Sequence, residues 1–281
     1  MVWANNPNAS SRLVEKGQVM QADDAERFVD AKMPAPRRVK SSDRTIDILE
    51  FLARSETPLT LTQIGEALGV PKSSLYQVLK TLETRGWIES DPLTGKHYRI
   101  GIRALLTGFR YVDIDPLVRR LDPVLTAITA ELDETSHLGR LDGADIVYLD
   151  KRESSRRMRM LSAVGRRLPA HVTAMGKVIL ANRPWDEVEA LLPRELVRLG
   201  PNTITSRHAL RDELQATRER GYAIDNEESA EMMRAVAVLV PPERGAAATN
   251  AVSVSASSLR LLPEDVGRVA SVIRDHLRQA R

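Results

Sequence analysis

A chain of 281 residues, 42% of them hydrophobic, is long enough for two domains of ordinary size, each burying its own core. It contains no cysteine and only five scattered histidines, which excludes disulfides, thiolate zinc sites and thiol nucleophiles, so neither a metal nor another cofactor is expected. A formal net charge of +3 is mild, and affinity for a polyanion would have to come from clustered charge.

Residues 1–40 are polar, with Asn, Ser and Asp runs, and read as a disordered tail. Arg37 and Arg38 close that tail. They read either as an arm for a DNA minor groove or as solvated charge. A first helix is expected from a Ser42 cap through Ile46, Leu49, Leu52 and Ala53, whose spacing gives one apolar face.

The stretch from Thr60 to Ile100 carries the most information. Thr60 and Gln63 form a capping-box pattern at a helix start, and Gly69-Val70-Pro71 stops that helix and opens the next. In the second helix Leu75, Val78, Leu79 and Leu82 make a buried stripe, which leaves Lys72, Ser73, Ser74, Tyr76, Gln77, Lys80 and Thr81 outward. Hydroxyls, an amide and lysines are the groups that reach phosphates and base edges in a major groove. After Arg85-Gly86, residues 87–90 and 97–100 alternate like two strands around a turn containing Asp91, Gly95 and Lys96, so a hairpin wing is expected. Seven basic against three acidic residues between Pro71 and Arg110 favour double-stranded DNA as the partner, with Lys96 among the contacts. The alternative is a helix-turn-helix shape serving only protein contacts. The winged helix-turn-helix is assigned to residues 41–101.

Residues 102–114 read as a linker helix with Leu105, Leu106, Phe109 and Val112 on one face. That apolar face suits either a dimer contact, as paired DNA half-sites require, or packing on its own domain. From 115 to 281 the pattern is α+β. Pro116 opens a long helix with Leu117, Leu121, Val124, Leu125, Ile128 and Leu132 inward; an Asp142-Gly143 hairpin follows, then a strand from Met158 to Val164. Thr173 caps a helix, Ser206 to Arg220 form another, three strands follow from Gly221 to Ala256, and an amphipathic helix from Glu264 to Ala280 closes the chain.

The stretches VGRRLPAHVTAMGKVILA, from Val164, and GYAIDNEESAEMMRAVAVLV, from Gly221, followed by AVSVSAS, stand behind the winged unit in a fixed order. Together they resemble the IclR family of bacterial transcriptional regulators over about 240 residues. The resemblance implies a DNA-binding N-terminal domain and a C-terminal GAF-like effector-binding domain with an antiparallel sheet flanked by helices. The default effector is a small organic acid, with an aromatic or otherwise less polar acid as the alternative, and the apolar linker helix with the symmetry of paired half-sites leads to an expected homodimer or dimer of dimers on operator DNA. Carried over by position, the effector-facing residues are Ala174, Met175, Asp225, Ala235, Ser253 and Ser255. Met160, with Met158 and Leu161, would add adaptable apolar wall. The expected function is a transcriptional regulator, a repressor with an activator as the alternative.

An enzyme is not expected. Met175-Gly176-Lys177 lacks the spacing of a phosphate loop. The acidic run Asp225, Glu227 and Glu228 reads either as a metal site or general base, or as solvated and capping carboxylates. The longest apolar run, Ala235 to Val240, is too short to span a bilayer, and the first residues lack the order of a secretory signal, so a cytoplasmic protein without membrane contact is expected.

Overall fold

The computed structural model describes residues 39–156, 163–242 and 245–280, and its chain divides into two compact units between Gly101 and Ile102. Arg37, Arg38, Met158, Met160, Leu161 and nearly all of the expected tail and third strand lie outside the described residues.

The first unit begins with helix α1, Lys40–Arg54. Ser42 does not cap it: Val39 holds the cap position, and Ser42 lies inside the helix. The buried face also differs from the expected one. Ile48 and Leu52 are buried while Ile46 is 53% exposed, so the helix is rotated relative to the face expected from Ile46 and Ala53. A short strand β1, Leu59–Thr60, leads into α2, Leu61–Leu68. The capping box forms: the Thr60 N–H donates to Gln63 Oε1 at 2.8 Å, and the Gln63 N–H donates to Thr60 Oγ1 at 3.3 Å. Gly69 ends the helix at φ 62°, a conformation that costs glycine nothing. Helix α3, Lys72–Thr84, then buries Leu75, Leu79 and Leu82 against Ile48, Leu52 and Ile64; Val78 is only half-buried. Strands β2, Ile88–Ser90, and β3, His97–Ile100, form the wing, and β1 pairs with β3 to make a three-stranded sheet in the order β1-β3-β2.

The second unit starts with α4, Ile102–Ile114, which has no buried residue; Leu105, Leu106 and Phe109 are about half exposed. Asp115 caps α5, Pro116–Leu132, accepting from the N–H groups of Leu117 and Val118. Arg140 ties this corner to the sheet, donating to Asp115 Oδ2 at 2.6 Å, to the Tyr111 hydroxyl and to Asn250. The sheet is six-stranded and antiparallel. Its strands are β4, Thr135–Asp142; β5, Asp145–Arg152; β6, Arg167–Pro169; β7, Ala223–Asn226; β8, Met233–Leu239; and β9, Asn250–Ser257. Their order is β6-β5-β4-β9-β8-β7.

Strand residues alternate between two faces, and here the faces carry different side chains. Val236 and Val238 of β8, with Val252 and Val254 of β9, pack under α5 and α9, Val266–Gln279. Ala235, Ala237 and Ala251 face the other way, toward α6, Ala174–Leu180, and α8, Arg207–Arg220. Ser253 and Ser255, in phase with Ala251 on the same strand, share that face. Small residues on this face leave space between sheet and helix. Helix α7, Trp185–Leu191, completes that layer and has no counterpart in the sequence reading.

Candidate nucleic-acid interface and ligand cavity

On α3 the residues Lys72, Ser73, Tyr76, Gln77 and Lys80 are exposed on the side away from the core. Ser74 is not free as expected. It is half-buried, and Arg44 from α1 donates to its hydroxyl, which brings a guanidinium to the start of α3 that no local pattern in the sequence marks. No side chain caps the first turn of α3, so its N–H groups are left for an anion such as a phosphate. Lys80 forms an ion pair with Glu83 at 3.0 Å, and that carboxylate raises the lysine from its ordinary value. Glu83 also accepts from Ser90 of the wing, the main reason its own pKa is lowered. Lys96 is exposed on the wing turn.

In the second unit, Ala174, Met175, Asp225, Ala235, Ser253 and Ser255 line one cavity of about 90 Å³. Pairing of neighbouring strands brings them together: Asp225 stands opposite Ala235, Ala235 opposite Ser255, and His137 opposite Ser253. The floor is the small-residue face of the sheet, and the roof is the first turn of α6. Thr173 caps that turn, accepting from the Gly176 N–H at 2.9 Å. Two glycines permit the close stacking. A Cβ at Gly176 would lie 2.0 Å from the Ala170 carbonyl oxygen, and one at Gly139 would lie 2.7 Å from the Met175 sulfur.

His137, Tyr148, Arg166, Leu168, Ser229 and Met233 complete the wall, and none was singled out from the sequence. Only the fold reveals them, because His137 and Tyr148 meet edge-to-face across β4 and β5. Burial makes the cavity electrically quiet. It depresses His137 to about 3, so the imidazole is neutral at pH 7, and it pushes the Tyr148 phenol up. Asp225 is likewise raised by burial, opposed by the Ser229 hydroxyl and the N–H groups of Glu228 and Ser229 that it accepts. Arg166 brings a guanidinium to the exposed side. Ser253 and Ser255, residues 2% and 8% exposed, line the cavity, so their hydroxyls can donate to or accept from a molecule held there.

The acidic run has structural roles. Asp225 holds the turn after β7, Glu227 accepts from the Met232 N–H, and Glu228 pairs with the buried Lys177. No group of three or more His, Cys, Asp or Glu residues arranged for a metal occurs among the described residues.

A helix-turn-helix unit with a polar outward helix, joined to an α+β domain of this topology, is the build of a bacterial transcriptional regulator. Residues 41–92 match the IclR helix-turn-helix domain, and residues 109–280 match the C-terminal domain of the bacterial transcriptional regulator IclR. The chain belongs to the IclR family. It is 38% identical to the HTH-type transcriptional regulator XynR of Escherichia coli over 72% of this chain and 80% of XynR. It is 35% identical to the regulator KdgR of the same organism over 87% of this chain and 92% of KdgR. A crystal structure of an IclR transcriptional regulator from Alicyclobacillus acidocaldarius superposes with a TM-score of 0.74 at 26% identity, covering 86% of this chain and 98% of that one.

Proposed function

We propose that the protein is a repressor that binds operator DNA through α3 and the wing, and whose operator affinity is set by a small organic acid bound in the cavity. The observation that carries this reading is that Ser253, Ser255 and Arg166 line one cavity, two hydroxyls on the sheet face and a guanidinium on the exposed side. A carboxylate leaving water needs replacement donors, because desolvation without them costs several kcal/mol. Asp225, with its oxygens occupied by the adjoining turn, shapes the cavity and does not compete with the ligand's charge.

Changing both serines to alanine is expected to lower effector affinity by about ten- to a hundredfold, an order of magnitude or two for one or two lost hydrogen bonds, with operator binding intact. Isothermal titration of the full chain with a panel of small carboxylic acids, beside an operator gel shift, reads both; an unchanged effector affinity would place the ligand elsewhere.

At the DNA, Ser73, Tyr76 and Gln77 are proposed to read bases, and Lys72, Lys80, Lys96 and Arg44 to hold phosphates. Gln77→Ala should relax the choice at one base position at a cost of about 1–3 kcal/mol, whereas Lys80→Ala should weaken all sequences and flatten the salt dependence. Equal loss on operator and random DNA in the Gln77 variant would remove it from base reading. Two half-sites require two copies of α3, and the half-exposed Leu105, Leu106 and Phe109 of α4 supply an apolar face for a homodimer. Sedimentation of the chain as a monomer would count against that assembly.

A further inference from the structure

Among the described residues Leu93 is the most exposed large hydrophobic side chain, at 95%. It is held out by an ordered turn. The Asp91 side chain accepts from the Leu93 N–H at 2.8 Å and from the Thr94 N–H at 3.3 Å, while the Asp91 carbonyl accepts from Gly95 at 2.8 Å. The Asp91 N–H closes the hairpin onto the His97 carbonyl at 2.9 Å. An apolar side chain on a fixed tip, with no protein surface beneath it, gains nothing in the folded monomer. The base of the same hairpin is anchored to α3 through Ser90 and Glu83, so the tip belongs to the same rigid piece as the proposed reading helix.

We propose that Leu93 is an apolar wedge that enters the minor groove beside the major-groove site of α3, and that operator DNA is bent or unstacked where it enters. The inference rests on the DNA-binding reading above. The occupant is DNA because the tip is continuous with the α3 surface and carries Lys96, three residues on, as an exposed cation for the flanking phosphate. Apolar wedges of this kind partly unstack a base step and kink the duplex, which makes affinity depend on how deformable that step is. Leu93 would then supply sequence preference without a hydrogen bond to any base, at a position displaced from those read by Gln77.

The two tip residues have separable signatures. Leu93→Ala should lower operator affinity by about tenfold through lost apolar burial, leave the slope of log affinity against log salt unchanged, and reduce the bend. Lys96→Ala should reduce that salt slope by about one and leave the bend in place. Leu93→Met should retain most of the wild-type behaviour. The substrate is a duplex selected from a random-sequence pool by the full wild-type chain, with its bend measured by energy transfer between end labels. Because Leu93 packs on nothing, its variants should fold as the wild type does, which circular dichroism checks. Wild-type selection of an operator that Leu93→Ala binds and bends equally overturns the wedge and leaves the regulator reading standing. Failure of the wild type to select any duplex overturns the regulator reading itself. A change of oligomeric state in Leu93→Ala without DNA would assign the tip to a second copy of the chain and also overturn the wedge.

Discussion

Lys177→Met is expected to destabilise the second unit by roughly 3–5 kcal/mol, the range for breaking a buried ion pair from one side. Lys177 is 1% exposed, and it sits in α6 three residues after Ala174 of the cavity wall. Its ammonium meets Glu228 directly and lies 3.6 Å from Glu213, whose carboxylate also accepts from Arg220 at 2.6 Å. Burial pushes Glu228 up, Lys177 pulls it back, and among the described residues the second Glu228 oxygen has no hydrogen-bond partner. Methionine fills nearly the same space, so the loss is electrostatic. Removing the cation leaves Glu228 to be desolvated alone or protonated. Urea unfolding of the full chain should show a lower midpoint for this unit, and adding Glu228→Gln should recover a large part of the loss. An unfolding free energy within about 1 kcal/mol of wild type would mean that Glu228 finds water or a proton at little cost once the cation is gone, and would overturn the prediction.

Acid should weaken the same unit through His137. Its folded pKa of about 3 lies below the unfolded value of 6.5, so the stabilisation is complete above pH 6.5 and is lost as pH falls toward 3. At about 1.4 kcal/mol per unit, the loss from this residue alone reaches about 3 kcal/mol by pH 4.5. Asp225 and Glu228 act in the opposite sense. Their folded pKa values are raised, so what they contribute is present at low pH and is lost as pH rises through those values. The net curve is therefore shallower than His137 alone would give. Comparing the slopes of stability against pH for wild type and His137→Gln between pH 7 and 4.5 isolates the histidine, whatever the variant's stability at neutral pH. Parallel slopes would show that the ring stays hydrated enough to protonate in the folded state.

Local chemistry was legible in the sequence. The Thr60–Gln63 capping box, the left-handed Gly69 and the α3 stripe each depend on residues within a few positions, and each forms as read save that Val78 of the stripe is only half-buried. The Ser42 cap failed because Val39 starts α1 a turn earlier, and a serine inside a helix leaves no mark that separates it from a cap. The cavity was legible only through the motifs of a family. His137 becomes its wall because β4 lies beside β9, a pairing that joins Arg140 to Asn250 across 110 residues. No periodicity encodes strand order, and Arg44 reaches Ser74 for the same kind of reason, across two helices. Helix α7 is seven residues long, under two full turns, and offers too little repeat for an apolar face to be recognised.

On β8 and β9, valines hold one side of the strand to α5 and α9 while alanines and serines on the other side shape the cavity. Neighbouring positions therefore answer to different selection pressures. On the proposed reading, a change at Ala235 or Ser253 would alter which molecule fits the cavity, while Val236 and Val254 keep their packing on the opposite face. A lineage built on this sheet would then be free to drift from one ligand to another by single substitutions, each step leaving a foldable intermediate.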